Sequence, residues 1–152
     1  MIRDFIFPMK NTTVIFKLVS LKGDGFHLHL KMLVNGKSAN MLIDTGASRS
    51  VFDKKRIEKF VGKNNYRSHT REATGLGTNS MQTFVTRLKR IKIGKLEIAD
   101  YETGIVDMSH VNVSYKQLGV KPIDGVIGSD LLHKYKAAID YPKKTIKLFS
   151  KK

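Results

Sequence analysis

The dipeptide Asn35-Gly36, set between two alternating apolar runs, constrains this chain more than any other feature. Before it, Phe26, Leu28, Leu30, Met32 and Val34 fall on one face of an extended segment, and His27, His29 and Lys31 on the other. Asn and Gly both accept positive φ, as a two-residue type I′ turn requires, and that turn matches the twist of the strands it joins. The return strand, residues 39–43, runs directly into Asp44.

The same period of two recurs along the chain. Residues 14–19 alternate, and Lys22-Gly23-Asp24-Gly25 makes a turn. Asp53 reads as an N-cap for a short helix carrying Ile57, Phe60 and Val61, stopped by Gly62. Residues 63–70 read as loop, and residues 70–85 as a hairpin around Gly75-Leu76-Gly77. Strands are expected near 88–93 and 101–106, then a loop over 107–122 and a short apolar strand at Gly125, Val126, Ile127 and Gly128. A second short helix follows, started by Ser129 or Asp130, and a hairpin with Pro142-Lys143-Lys144 at its turn ends the chain. The expected fold is mainly β: a closed, mostly antiparallel barrel with two short helices. Residues 1–22 form a strand or arm ahead of a domain spanning 23–152.

A chain of 152 residues fits one domain, and its 41% hydrophobic content is enough for a core without covalent staples. The absence of cysteine excludes a thiol nucleophile, a disulfide framework and Cys-ligated zinc. Lys plus Arg outnumber Asp plus Glu by 28 to 13, a formal charge of +15. That field attracts acidic polypeptides, nucleic acid or anionic membrane, but the basic residues are spread along the chain and mark no specific nucleic-acid site. No apolar run is long enough to cross a bilayer, and no secretory cleavage site is evident. The compartment stays open, with the cytoplasm expected if the chain is complete as it stands.

The chemistry centres on Met41-Leu42-Ile43-Asp44-Thr45-Gly46-Ala47-Ser48. A carboxylate ending an apolar strand carries a desolvation cost unless it is hydrogen-bonded, paired or used. Gly46 lets the backbone turn tightly and another group approach. From this stretch alone, a turn-capping aspartate and a functional one are about equally plausible. Further on stands Ile123-Asp124-Gly125-Val126-Ile127-Gly128-Ser129-Asp130-Leu131-Leu132, a buried strand bracketed by glycines and leading into a helix.

Together the two elements resemble the retropepsin-like aspartic protease family, in which an apolar-apolar-Asp-Thr-Gly-Ala motif pairs with a later apolar-Gly-x-Asp/Asn-Leu-Leu motif. The ending Ile139-Asp140-Tyr141-Pro142 also looks like the terminal hairpin of that family. The resemblance implies that Asp44 is the catalytic aspartate and that Thr45 joins a network locking two active-site loops together. It implies that Gly46, Ala47 and Ser48 complete the loop, with Gly46 keeping backbone close to substrate. Gly75, Leu76 and Gly77 would be the flap tip closing over a bound peptide. Gly125, Val126, Ile127 and Gly128 would cross beside the loop, and Asp130 would cap the supporting helix. Only one Asp-Thr-Gly is present, so the second carboxylate must come from a second copy. The implied protein is a homodimeric aspartic endopeptidase acting on polypeptide, with neither cofactor nor metal.

Competing constellations are weaker. His27 and His29 share a strand face and could start a metal site, but no third ligand follows. Ser48 and Ser50 lack a nucleophile elbow, and neither Gly-x-Gly element has the Lys-Ser/Thr ending of a phosphate loop. Asp100, Asp107, Asp124 and Asp140 read as turn or cap residues. The alternative functions are a catalytically silent peptide-binding dimer of the same fold and, more distantly, a basic nucleic-acid-binding β domain.

Overall fold

The computed structural model describes residues 9–70 and 82–151. The described residues form two sheets. The smaller holds β1 (Met9–Ile15), β11 (Thr145–Lys151) and β10 (Ala138–Asp140), in the order β1-β11-β10 and antiparallel throughout. The larger contains β2 (Lys17–Ser20), β3 (Phe26–Val34), β4 (Lys37–Ile43), β5 (Val51–Asp53), β6 (Arg67–Thr70), β7 (Gln82–Ile93), β8 (Leu96–Val106) and β9 (Gly125–Ile127). Its order is β2-β3-β4-β9-β5-β8-β7-β6, and pairing of β3 with β7 closes β3-β4-β9-β5-β8-β7 into a six-stranded mixed barrel.

The Asn35-Gly36 turn forms as expected, with φ of 49° and 83°. Asn35 also serves the barrel: its Oδ1 accepts the Lys89 and Arg90 amides at 3.0 and 3.1 Å, fixing the point where β3 meets β7. Leu28, Leu30, Met32 and Val34 are buried, and Phe26, the first residue of β3, is 60% exposed. Phe16, Met41, Phe52, Leu88, Ile91 and Ile105 complete the middle of the core. Each such side chain contributes about 1.5–3 kcal/mol by leaving water.

Two of the barrel pairings, β4–β9 and β5–β8, are parallel. β9 lies between the strand that precedes Asp44 and the strand that follows it, parallel to β4 and antiparallel to β5. This insertion requires glycine on steric grounds. A Cβ on Gly128 would stand 2.7 Å from the Ala47 carbonyl oxygen and 2.7 Å from the Arg49 carbonyl. A Cβ on Gly125 would collide with the Val51 carbonyl oxygen and the Met41 methyl.

Among the described residues there are three helices: α1 (Glu58–Val61), α2 (Ser109–Gln117) and α3 (Ser129–Lys134). Gly62 ends α1 at φ 86°. Asp53 does not cap it; the Asp53 carboxylate is buried and accepts the Met108 amide at 2.9 Å, tying β5 to the start of α2. α2 lies where a loop was expected. It begins with the Asp107 carboxylate accepting the Ser109 amide at 2.8 Å. It ends in a Schellman motif, with Gly119 at φ 70° and the Val120 amide donating to the Tyr115 carbonyl. Among the described residues no helix is long and apolar enough to cross a membrane.

Candidate active site

Asp44 begins the loop at the end of β4, and three backbone hydrogen bonds and one to its own carboxylate hold that loop. The Asp44 amide donates to the Ile127 carbonyl at 3.0 Å, and the Ala47 amide returns to the Asp44 carbonyl at 3.2 Å. The Ser129 amide donates to the Ala47 carbonyl at 2.7 Å. The Gly46 amide donates to Asp44 Oδ1 at 2.9 Å. The other carboxylate oxygen has no partner among the described residues. Asp44, Thr45 and Gly46 are exposed; the carboxylate is not buried within its own chain, so a single copy bears no desolvation cost there. Ala47 is half-buried, Ser48 is exposed, and the Ser48 carbonyl accepts from Ser129 Oγ at 3.4 Å.

Behind the loop lies a network that sequence reasoning missed. The Ser50 hydroxyl accepts the Gly128 amide at 2.9 Å and donates to Asp130 Oδ1 at 2.8 Å. The Ser50 amide donates to that same oxygen at 2.9 Å, and the Tyr101 hydroxyl donates to Asp130 Oδ2 at 2.7 Å. Asp130 therefore does not cap α3, whose N-cap, Gly128, makes no side-chain capping bond. Its side chain reaches across to β5 and β8 because Ser50 and Tyr101 offer three donors to an otherwise unsatisfied carboxylate. Burial, and then the bond to Asp130, push the Tyr101 hydroxyl far above the usual tyrosine range. Asp124 also departs from the turn role expected of it. Nearly fully buried, it accepts from Arg56 Nε at 2.7 Å, Lys59 Nζ at 3.0 Å and the Asn40 amide at 2.8 Å, anchoring the entry to β9.

His27 and His29 do share a face, but they meet a tyrosine. Tyr115, the buried residue of α2, places its hydroxyl 2.6 Å from His27 Nδ1 and 3.1 Å from His29 Nε2. Asn40 Nδ2 lies 3.4 Å from His29 Nδ1. With Asn40 as donor, His29 carries its proton on Nε2 and donates to Tyr115, whose hydroxyl donates on to His27. Among the described residues no cluster of His, Asp or Glu could hold a metal ion.

Burial, then His27 and Lys17, lower the His29 pKa to about 4. The unfolded chain takes up this proton near pH 6.5 and the folded chain resists it, so His29 favours folding above pH 6.5, an advantage lost as pH falls towards 4. The expected loss is roughly 1–2 kcal/mol, allowing for solvent screening. Urea midpoints measured between pH 7 and 4.5 should fall less steeply in His29→Gln than in wild type; parallel curves would remove His29 as the source.

The expected flap, Gly75, Leu76 and Gly77, lies outside the described residues. The strands leading to and from it, β6 and β7, pair antiparallel as far as Thr70 and Gln82.

A family model described as aspartyl protease matches residues 30–131, more than half of the chain, from within β3 into α3. The chain belongs to the retropepsin-like aspartyl protease family. Solved structures show the same fold in other members. A retropepsin-like aspartic protease from Rickettsia conorii aligns over 93% of this chain and 91% of its own, with a TM-score of 0.57 and 21% identity. The retroviral protease-like domain of Ddi1 from Leishmania major aligns over 80% and 87%, with a TM-score of 0.54 and 16% identity. EIAV protease, solved with the inhibitor HBY-793, aligns over 80% and 99%, with a TM-score of 0.52 and 21% identity. A comparison with curated proteins gave no significant match. In this family member, the matched region takes in both the Asp44 loop and the β9 crossing that supports it.

Proposed function

We propose that this chain is an aspartic endopeptidase, active as a homodimer in which two copies of Asp44 face each other across a two-fold axis. The observation that carries the reading is the state of Asp44: an exposed carboxylate on a loop fixed from both sides, with one oxygen held by Gly46 and the other free. One oxygen is spent on an Asx-type bond to Gly46, which steadies the acid, and the other stays open to a water or a second carboxylate.

Two such carboxylates brought together cannot both ionise, which is the general case for aspartic proteases, and their titration belongs to the pair. The ionised member takes a proton from a water between them, and the resulting nucleophile attacks the scissile carbonyl carbon. The protonated member donates to the carbonyl oxygen, and proton return to the departing amine completes hydrolysis. Thr45, exposed and without a partner among the described residues, has its hydroxyl free to bond the facing loop. Gly46 leaves backbone open to an extended substrate, which adds as a strand. The role assigned to Gly75, Leu76 and Gly77 is to close over that strand.

Dilution tests the shared site. Below the dimer dissociation constant, cleavage rate should rise with the square of protein concentration, and a statine-type inhibitor should suppress it. A rate that stays proportional to concentration in protein shown to be monomeric by sedimentation would overturn the dimeric mechanism.

A further inference from the structure

The face of β3 and β4 that leads to Asp44 also carries a hydrogen-bonded chain that the proposed chemistry leaves unused. The ladder pairs His29 with Leu42 and Leu28 with Ile43. One step further, the same register sets His27 against Asp44. The bond from the Asp44 amide to the Ile127 carbonyl continues the ladder to that point. Opposed residues on paired strands share a face, so His27 and Asp44 are neighbours on one side of the sheet. His27 is half-buried and Asp44 is exposed.

The chain of bonds has a direction. Asn40 Nδ2 donates to the Pro122 carbonyl at 3.0 Å, which orients the amide and leaves its second hydrogen for His29 Nδ1, 3.4 Å away. His29 then carries its proton on Nε2 and donates to Tyr115, whose hydroxyl donates to His27 Nδ1 at 2.6 Å. Burial pushes the Tyr115 hydroxyl up to about 12, so it keeps its proton. The His27 proton is therefore on Nε2, the ring nitrogen that bonds nothing among the described residues. Val19, opposite it on β2, has no side-chain group to receive that proton.

We propose, building on Asp44 as the group around which peptide is bound, that His27 contacts the substrate, its Nε2–H bonding the side-chain oxygen of a Glu or Gln close to the scissile bond. With its other nitrogen already taken by Tyr115, the ring can only donate, so it meets a carbonyl or carboxylate oxygen and offers nothing to the donors of Lys and Arg. Lys17, which faces His29 from β2, adds positive charge to this side and favours an acceptor further. An aliphatic side chain in the same place would leave the N–H unpaired, which is the way a fixed donor discriminates. Tyr115 is the positioning residue: from α2 its hydroxyl holds the His27 ring in one tautomer.

Binding and cleavage are measured separately. Full-length Asp44→Asn protein, shown to be dimeric by sedimentation, is immobilised and exposed to a positional peptide library, and the retained peptides are sequenced. Glu or Gln should exceed Leu by about fivefold at one position, and adding His27→Leu should erase that excess. His27→Gln, which keeps an N–H donor, should restore part of it. No peptide retained, no excess, or an excess that survives His27→Leu would overturn the contact. Wild-type protein that cuts the library without this preference would leave Asp44 its role and remove His27 from the site. A preference in binding, with no cleavage by wild type, would do the reverse. Imidazole nitrogen spectra give an independent readout: His27 should carry its proton on Nε2 in wild type and divide between both tautomers in Tyr115→Phe. A wild-type proton on Nδ1 would turn a lone pair to the substrate and overturn the proposal.

Discussion

Asp44→Asn should lower peptide hydrolysis by about 10³–10⁴-fold or more, to the limit of detection, while leaving the thermal unfolding midpoint nearly unchanged. The asparagine keeps an oxygen to accept the Gly46 amide, so the local turn survives. What it loses is the ionised group that takes the proton from water, and in a symmetric dimer the protonated donor is lost with it. Mixing gives a sharper form of the experiment. Wild-type chains titrated with excess Asp44→Asn chains should lose activity as mixed dimers form, each holding one carboxylate. Wild-type activity that survives an excess of the variant, with exchange between copies demonstrated, would mean that one carboxylate suffices. Hydrolysis that persists in the pure variant would place the chemistry elsewhere in the molecule.

Gly128→Ala should be the most damaging single change that leaves all the chemistry in place. The added methyl would lie 2.7 Å from the carbonyl oxygens of Ala47 and Arg49, and backbone cannot swing aside as a side-chain tip can. Either β9 or the Asp44 loop has to shift. If the loop moves, it strains the Ser129-to-Ala47 bond and the hydrogen bond from Gly128 to Ser50. Overpacking of this kind costs about 3 kcal/mol or more, a large share of a domain's net stability. The measurement is the urea midpoint together with activity under conditions where the variant is still folded. A wild-type midpoint would show that the crossing has slack, contrary to its geometry.

Local chemistry explains which parts were legible in the sequence. The Asn35-Gly36 hairpin, the strand entering Asp44, the glycine-bracketed β9 and the terminal hairpin each carry their signal within a few residues. α2 was not read because its apolar residues do not make a clear stripe: Val111 and Val113 are β-branched, Val113 is exposed, and Tyr115 is the residue it buries. Its two ends were nevertheless written in Asp107 and Gly119, and a search for caps before periodicity would have found it. Asp53 and Asp130 were assigned to the nearest helix because capping is the commonest local use of an aspartate. Their actual partners, Met108 for one and Ser50 and Tyr101 for the other, come from strands and turns distant in sequence. Ser50 gave no signal by itself, since its hydroxyl matters only once β9 lies alongside.

The placement of β9 also sets an order of events during synthesis. Strands β4 and β5 leave the ribosome early, yet they border a slot that only residues 125–127 fill. Until those residues emerge, the amides of Asp44 and Ser129 lack the carbonyls that orient the loop, or are themselves not yet made. Closing so distant a contact comes late in folding, after the local hairpins have formed. A nascent or prematurely ended chain that stops before Gly125 would carry the aspartate without the scaffold that aims it. On the proposed reading, an unfinished chain therefore has no aimed carboxylate with which to cleave its neighbours.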